Sequence, residues 1–373
     1  MSRTRYDTRL RAAKRRLAES EADALVLGPG ATQHYLSGFR TAQSRRHLLL
    51  IVVPDGDPVF FTPEAYLEGI RRDSWIETLV TWTDEDDPST RLEDALGTAG
   101  VGAGDRVLVN DTLWTTFAQD VRDVTGTEVG TAAAVLSGIR AVKEEPELDR
   151  IRSASAIADE VSTAVRSMDP VGMTETELAG EIEYRMRSAG AHGAAFPTIV
   201  ASGPNSGEPA YVAGDREIRP NEPVILDFGA ERDGYLSDQT RTVVFGTPPE
   251  DFIDAHEAVR EAQQAAVEAI EPGRTGAEID RIAREVIESA GYADGIRHLT
   301  GHGIGLDIHE PPFLVSGSYL SGADERELEP GMVTTVEPAV YTERWGIRIE
   351  DSVVVTDDGC ERLNHSSRGW KPT

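Results

Sequence analysis

The amino-acid sequence predicts two successive domains, an α/β domain at residues 1–138 and an α+β domain at residues 139–373. Its 373 residues are enough for about two domains with substantial cores. In the first part, short apolar runs alternate with helical stretches, which is typical of a buried sheet flanked by helices. In the second part, helical segments alternate with pairs of strands. The segment 138–146 breaks the pattern between them, and Pro146 suits the first turn of a new helix.

The N-terminal domain is predicted to begin with an amphipathic helix over residues 4–20. Four apolar runs that follow predict buried strands at Ala24–Leu27, Leu48–Val53, Pro58–Phe61 and Val107–Val109. Gly28 and Gly30 lack the further glycines and the basic residue of a nucleotide-binding loop, so we interpret them as a plain turn.

The C-terminal domain is predicted to contain four helices, over residues 147–168, 174–190, 250–271 and 276–290. Two hairpins accompany them. The first joins Val224–Gly229 to Tyr235–Phe245 around Asp233-Gly234, which is a strong hairpin signal. The second joins Val333–Tyr341 to Gly346–Val355.

Each hairpin carries a pair of acidic residues that one metal ion could bridge. Asp227 and Asp238 fall opposite or diagonal to each other on one face of the first, with Cβ atoms about 4.5–8 Å apart. Glu337 and Glu350 are nearly symmetric about the loop of the second, and Arg348 lies on the same strand face as Glu350. Acid pairs at this spacing are common by chance in so acidic a chain, so the surrounding pattern carries the prediction.

Converging carboxylates predict a metal site. Four of them would repel one another, and two divalent cations would supply the matching positive charge. Oxygen-rich ligation with one imidazole suits manganese, cobalt or zinc. Two such ions can hold a bridging hydroxide at neutral pH and polarise a carbonyl, which is an arrangement for hydrolysing an amide.

The imidazole is predicted to come from residues 298–312, where three of the eight histidines fall within twelve residues. Glycines flank His302, so its backbone can approach a crowded centre. His298 and His309 could line the pocket beside it and donate hydrogen bonds to an oxyanion or a leaving group. A lone histidine would be interpreted as structural, but this cluster favours a site.

The composition is strongly acidic, with 65 Asp and Glu against 37 Lys and Arg and a formal charge of −28. Only three of the basic residues are lysines. An acidic, hydrated, lysine-poor surface keeps a protein soluble in concentrated salt, where repulsion between its charges is screened at about 3 Å. The composition therefore predicts a halophilic protein. A mesophilic acidic protein is the alternative. The charge argues against nucleic acid as a partner.

The single cysteine, Cys360, excludes an internal disulfide and a paired-thiolate metal site, and it favours a reducing compartment. The first twenty residues have no apolar core like that of a signal peptide. The longest apolar run, Leu48–Val53, is too short to cross a bilayer. We therefore predict a soluble, cytoplasmic protein without a membrane partner.

Four segments resemble, in order, the pita-bread metallopeptidase family: residues 226–242, 298–312, 330–341 and 346–355. The resemblance covers about residues 140–356, and the whole chain is similar to the prolidase and aminopeptidase P branch. It implies an α/β N-terminal creatinase-like domain and an α+β pita-bread (creatinase/aminopeptidase) C-terminal domain. It also implies a homodimer that cleaves the bond before proline in small peptides.

The resemblance further implies a role for each site residue. It assigns metal binding to Asp227, Asp238, His302, Glu337 and Glu350. Glu337 would also shuttle a proton. His298 and His309 would contact the substrate, while His309 and Arg348 would support catalysis. The cofactors would be two divalent ions, with manganese favoured over cobalt or zinc.

One position departs from the family pattern. Peptidases of this family carry a histidine seventeen residues before the first aspartate, near the leaving side of the substrate, and here Ala210 occupies that position. Alanine cannot transfer a proton, and a positioned acid or base contributes about 10²–10⁴ in rate, so altered or reduced catalysis is expected. The hydroxyl of Tyr211 points to the opposite face of an extended segment, and we interpret Tyr211 as a packing residue.

Three functions remain open on these grounds. The first is a metal-dependent Xaa-Pro dipeptidase or aminopeptidase with altered catalysis. The second is a hydrolase of another small C–N bond, such as that of an amidated osmolyte or a guanidino compound. The third is a pseudopeptidase that binds peptides without turning them over.

Overall fold

The structure is a computed structural model that describes residues 3–317 and 326–372. The chain divides into two compact units, residues 1–140 and 141–373. Each unit has its own sheets and its own apolar core. Within the described ranges, no helix combines the length and the apolar character that crossing a bilayer requires.

The first unit is built on a six-stranded sheet. Its strands are β1 (Ala24–Leu27), β2 (Leu49–Val52), β3 (Val59–Pro63), β4 (Thr78–Trp82), β5 (Val107–Val109) and β6 (Gly130–Thr131). They lie in the order β4-β3-β2-β1-β5-β6. The accompanying helices are α1 (Arg3–Ala18), α2 (Ala31–Ser37), α3 (Leu67–Asp73), α4 (Pro88–Ala99), α5 (Thr115–Thr125) and α6 (Ala133–Ala141).

The four strands predicted in this unit are confirmed, and β1 and β5 have the predicted bounds. The sequence pattern does not predict β4 and β6, which lie at the two edges of the sheet. Most of β4 is only half-buried, and its threonines interrupt the apolar run. α6 ends at Ala141, inside the segment 138–146 that the sequence analysis places between the two domains.

The second unit contains the four predicted helices, each confirmed within three residues at either end. They are α7 (Glu145–Arg166), α8 (Glu175–Ser188), α9 (Phe252–Glu268) and α10 (Gly276–Ser289). Its first strands are β7 (Gly193–Ala194), β8 (Ile199–Ser202), β9 (Pro223–Phe228), β10 (Ala230–Arg232), β11 (Tyr235–Leu236) and β12 (Gln239–Val244). The later strands are β13 (Gly301–Gly303), β14 (Glu310–Leu314), β15 (Val333–Val336), β16 (Ala339–Tyr341), β17 (Gly346–Arg348), β18 (Asp351–Thr356) and β19 (Gly359–Arg362).

The first predicted hairpin is confirmed. Asp233 and Gly234 form its turn with positive φ angles of 50° and 87°, which suit a two-residue hairpin loop. β10 pairs with β11 next to the turn, and β9 pairs with β12 farther from it. In this register Asp227 lies opposite Thr240, so Asp238 is its diagonal neighbour.

Both long strands of this hairpin are interrupted, which the sequence pattern does not predict. The break falls at Gly229 on one strand and at residues 237–238 on the other. Gly229 is required there, because a Cβ atom at this position would lie 1.8 Å from the carbonyl oxygen of Ser237. The hairpin thereby passes from the sheet β12-β9-β8 to the sheet β11-β10-β7, and Asp238 lies outside the strand ladder.

The second hairpin is confirmed, with the same kind of interruption. β15 pairs with β18 and β16 with β17, and Pro338, which has no amide hydrogen, falls in the break. Glu337 and Glu350 occupy the break on the two strands. The Glu337 amide donates to the Thr300 carbonyl at 2.7 Å, and the Glu350 amide donates to the Thr240 carbonyl at 3.1 Å. These bonds tie the second hairpin to the histidine segment and to the first hairpin.

A buried histidine in α9 makes the stability of the protein depend on pH. His256 is 2% exposed, and its Nε2 atom has no hydrogen-bond partner within the described residues. Burial lowers its pKa from 6.5 to about 4. Between these values the unfolded chain binds a proton that the folded chain does not. The free energy of unfolding therefore falls as the pH falls through this window.

We expect His256→Leu to remove this contribution. In urea unfolding of metal-free parent and variant, the loss of unfolding free energy from pH 8 to pH 5 should be about 2 kcal/mol smaller in the variant. An equal loss in the two proteins would show that His256 does not titrate in this way.

Candidate metal centre

The structure brings all the site residues predicted from the sequence to one cavity of about 430 Å³. The charged side chains on its wall are Asp227, Asp238, Glu337, Glu350, Arg297 and Arg348. The histidines are His298, His302 and His309. The apolar wall consists of Phe196, Ile199, Pro209, Ala210, Leu299 and Ile308. A cavity of this size and mixed lining is typical of sites for small ligands.

Asp238, His302 and Glu350 form the centre of the site. One potential ligand atom from each lies within 4.8 Å of the others, and all three residues are buried. His302 Nε2 is 3.6 Å from Asp238 Oδ2 and 3.3 Å from Glu337 Oε1. The other ring nitrogen, Nδ1, lies 3.1 Å from the Gly303 carbonyl oxygen. This contact holds the ring with Nε2 toward the carboxylates.

Two threonines orient the glutamates. Thr240 Oγ1 donates to Glu350 Oε2 at 2.6 Å, and Thr335 Oγ1 donates to Glu337 Oε1 at 3.2 Å. Neither threonine was predicted as a site residue from the sequence, because threonine is common in strands whatever its role. Their spacing is a signal that could have identified them, because side chains two residues apart on an extended chain point to the same face. Thr240 stands two residues after Asp238, and Thr335 stands two residues before Glu337.

Three carboxylate oxygens of the cluster are buried and have no hydrogen-bond partner in the described part of the chain. They are Asp227 Oδ1, Asp238 Oδ1 and Glu350 Oε1. Buried polar atoms are normally paired, and buried carboxylates are usually paired or bound to a metal. Carboxylate oxygens with one imidazole suit manganese, cobalt or zinc. The residues present therefore fit the divalent cations that the sequence predicts.

Burial and mutual repulsion make Asp238 and Glu350 hold protons strongly. Burial first, and then neighbouring carboxylates, raise the pKa of Asp238 and that of Glu350 well above their usual values. Burial also raises the pKa of Glu337, and it lowers the pKa of His302 to about 4. Divalent cations would favour the charged carboxylates and the neutral imidazole, which are their ligand forms.

Arg348 connects the carboxylates to the histidine side of the cavity. Its Nη2 donates to Asp227 Oδ2 in a buried ion pair, and its Nε donates to Thr240 Oγ1 at 3.1 Å. Its Nη1 donates to the Tyr341 hydroxyl at 2.6 Å. That hydroxyl lies 2.9 Å from His298 Nε2. One chain of polar contacts therefore runs from Asp227 to His298.

Tyr341 is a site residue that the sequence analysis missed. It is 1% exposed, and burial raises the pKa of its hydroxyl to about 12, so the phenol keeps its proton. It stands four residues after Glu337, inside one of the segments that carry the family resemblance. Arg297, on the cavity wall beside His298, was not singled out either.

His309 packs against His302, with ring centroids 4.3 Å apart, and burial lowers its pKa. The next residue, Glu310, forms a buried ion pair with Lys143, with 2.8 Å between Nζ and Oε1. Gly305 makes room for this pair, because a Cβ atom there would lie 2.5 Å from Glu310 Oε1. One of the three lysines thus anchors the segment that carries His309.

Ala210 lies on the cavity wall next to Pro209. The hydroxyl of Tyr211 is directed elsewhere, because it donates to Glu175 Oε2 at 2.8 Å and accepts from Asn205 Nδ2 at 2.6 Å. The interpretation of Tyr211 as a packing residue agrees with these contacts.

Two family models match the chain. The model of metallopeptidase family M24 matches residues 149–357, a range that contains every predicted site residue. The model of the creatinase/prolidase N-terminal domain matches residues 9–142.

Relatives match nearly the whole chain. The probable dipeptidase PepE of Mycobacterium tuberculosis is 36% identical, over 96% of this chain and 94% of that protein. The Xaa-Pro dipeptidase of Lactobacillus helveticus is 32% identical, over 95% of this chain and 96% of that protein. The crystal structure of a prolidase from Thermococcus sibiricus is similar with a TM-score of 0.92, at 30% identity and 98% coverage of both chains.

These comparisons confirm the predicted fold class, a creatinase-like domain followed by a pita-bread domain. They also confirm the predicted metallopeptidase family. The chain belongs to metallopeptidase family M24 and carries a creatinase/prolidase N-terminal domain ahead of its metallopeptidase domain.

Proposed function

We propose that this protein is a two-metal hydrolase that cleaves the amide bond before proline in small peptides. One observation carries the proposal. Buried oxygens of Asp227, Asp238 and Glu350, without partners among the described residues, lie with His302 around one cavity. Relatives named Xaa-Pro dipeptidase support the choice of substrate.

The proposed ligands of two divalent cations are Asp227, Asp238, His302, Glu337 and Glu350. When bound, the cations supply an activated water and polarise the scissile carbonyl at neutral pH. Manganese is the metal that we favour, with cobalt and zinc as the alternatives.

The remaining side chains bind substrate and handle protons in this proposal. A carboxylate oxygen of Glu337 accepts a proton from the attacking water and passes it to the leaving nitrogen. His298 and His309 donate hydrogen bonds to the substrate. Arg348 keeps Asp227 in place through its ion pair, while Tyr341 holds the guanidinium from the other side.

A substrate panel with measured metal content tests this function. At molar salt with added manganese, we expect hydrolysis of proline dipeptides. If proline peptides are inert and another amide or a guanidino compound is hydrolysed, the result favours the second function predicted from the sequence, a hydrolase of another small C–N bond. Peptide binding without turnover by the metal-loaded protein would favour a pseudopeptidase.

We expect Ala210→His to raise the turnover of a proline dipeptide. A histidine on this wall adds a group that can transfer a proton, and such a group usually raises the rate about 10²–10⁴-fold. We expect a gain at the lower end of this range. The measurement is kcat at equal metal content. Ala210→Gln is the control, because it adds size and hydrogen bonding but no useful acid or base. An unchanged kcat, or the same gain in the control, would contradict this role for the position.

Four further expectations stay predictions. They are a homodimer, a cytoplasmic location, adaptation to concentrated salt, and domain limits at 1–138 and 139–373. Light scattering and thermal unfolding over a range of potassium chloride concentrations test the first and the third.

A further inference from the structure

Asp280, on α10, is a buried acidic residue that has no role in the chemistry described above. Its side chain is fully buried. Apolar residues of the same helix, Ile279, Ala283 and Ile287, pack α10 into the core. A buried carboxylate costs free energy unless donors surround it, and an apolar residue serves packing better. The packing of α10 therefore does not explain the carboxylate.

The Asp280 carboxylate accepts hydrogen bonds from three other residues. Its Oδ1 accepts from Thr300 Oγ1 at 2.6 Å. Its Oδ2 accepts from Arg284 Nε at 2.8 Å and from the Ser316 amide at 2.8 Å, and the Ser316 hydroxyl donates to the same oxygen. Thr300 belongs to the histidine segment, residues 298–312, and Ser316 follows that segment closely. Asp280 therefore ties α10 to the segment that carries the site histidines.

The partners of Asp280 in turn hold two residues of the site. The Thr300 carbonyl accepts from the Glu337 amide at 2.7 Å. Arg284 Nη2, on the guanidinium that pairs with Asp280, donates to the His298 carbonyl at 2.8 Å. Glu337 and His298 both lie on the cavity wall. They are the residues to which the proposed function gives proton transfer and substrate binding.

We propose that Asp280 is a positioning residue that fixes Glu337 through Thr300 and His298 through Arg284. A displacement of about 1 Å in an active site costs roughly 100-fold in rate, so a rigid anchor behind these two residues affects turnover. This inference rests on the proposed peptidase function for its effect on turnover. The positioning itself is measurable without any activity.

Amide hydrogen exchange in the metal-free full chain, resolved by NMR, tests the connection through Thr300. Asp280→Asn should speed exchange of the Glu337 amide about 10-fold, the usual weight of a hydrogen bond to a charged group. The Glu350 amide is the internal control, because it occupies the other strand of the same break and donates to the Thr240 carbonyl. Its exchange should not change.

A second pair of variants keeps the test valid if Asp280→Asn does not fold. Thr300→Val has the shape of the parent residue but no hydroxyl to donate to Asp280, and it should also speed exchange of the Glu337 amide. Thr300→Ser keeps the hydroxyl and should exchange like the parent. Parent-like exchange at Glu337 in Thr300→Val, or equal acceleration at Glu337 and Glu350, overturns the inference.

Kinetics of the manganese-loaded full chain test the effect on turnover. At equal metal content, Asp280→Asn should lower kcat for Ala-Pro about 10-fold, as for other groups that orient a site. Glu181→Gln is the matched control and should keep the parent kcat. Glu181 pairs with Arg185 at the same four-residue spacing, with 2.6 Å between Oε1 and Nη2, on α8 and away from the cavity wall.

A double-variant cycle tests the connection through Arg284. Arg284→Gln should lower kcat in the parent but change it little in His298→Ala, because Arg284 acts through that histidine. The same loss in both backgrounds would contradict this connection.

The outcomes separate this inference from the peptidase function. A parent that cleaves Ala-Pro, together with an unchanged kcat in Asp280→Asn, overturns the inference and leaves the function intact. A parent that does not cleave Ala-Pro sinks the function, and exchange of the Glu337 amide then decides the inference. Faster exchange at Glu337 alone supports the positioning role, and an unchanged rate overturns it.

Discussion

We expect Asp238→Asn to abolish metal-dependent hydrolysis, with a loss in kcat/KM on the order of 10³-fold or more. Asp238 is buried, with one oxygen 3.6 Å from His302 Nε2 and the other without a partner among the described residues. Asparagine has nearly the same shape, but it is neutral and its amide nitrogen is a poor metal ligand. The variant should therefore retain the fold and bind less metal.

The same substitution should leave the metal-free protein at least as stable as its parent. Burial and neighbouring carboxylates disfavour a charge at Asp238, and a neutral amide avoids that cost. Added manganese should raise the free energy of unfolding of the parent by more than that of the variant.

Asp233→Asn is the matched control for this prediction. Asp233 lies exposed in the turn of the same hairpin, at a φ of 50° that asparagine also adopts readily. The control should bind metal and turn over substrate like the parent. If Asp238→Asn and Asp233→Asn behave alike, Asp238 is not a metal ligand.

Asp351→Asn should lower the free energy of unfolding by about 3–5 kcal/mol, the usual cost of breaking a buried ion pair. The Asp351 side chain is fully buried and accepts hydrogen bonds from three guanidinium groups. Its Oδ1 accepts from Arg241 at 2.7 Å, and its Oδ2 accepts from Arg368 at 2.7 Å and from Arg362. A neutral asparagine leaves three cations without the anion that they share.

This change should also weaken the metal site. Arg241 Nη1 donates to the Glu350 carbonyl, so the buried pair helps to hold a proposed ligand. We expect a loss of metal affinity of roughly 10-fold or more, as for other groups that orient ligands.

The control is Asp149→Asn, because Asp149 is 68% exposed and meets Arg152 at the surface, where such pairs contribute about 0–1 kcal/mol. Urea unfolding of both variants gives the comparison. Equal unfolding free energies for Asp351→Asn and Asp149→Asn would contradict the structural role of Asp351.

The sequence predicts those parts of the molecule that depend on local periodicity and turn chemistry. The helices of the second unit follow from their apolar spacing, and the first hairpin follows from Asp233-Gly234. The acidic residues, the three histidines and Arg348 on the cavity wall were found because each lies in a motif with a chemical reason, such as the glycines around His302.

Features that depend on contacts between distant segments could not be predicted. The strand break at Gly229 exists because two backbones meet there, and no periodic pattern marks it. The position of Tyr341 between Arg348 and His298 requires the fold of two hairpins and the histidine segment together. Arg297 is one of many arginines in the sequence, and only the cavity distinguishes it.

The central claim is that the acidic cluster holds two divalent cations that support hydrolysis. Metal content per chain, measured by mass spectrometry after dialysis against manganese, tests it most directly on parent and Asp238→Asn. We predict about two manganese ions per chain in the parent, and about one or none per chain in the variant. A parent chain that retains no metal after loading would contradict the account.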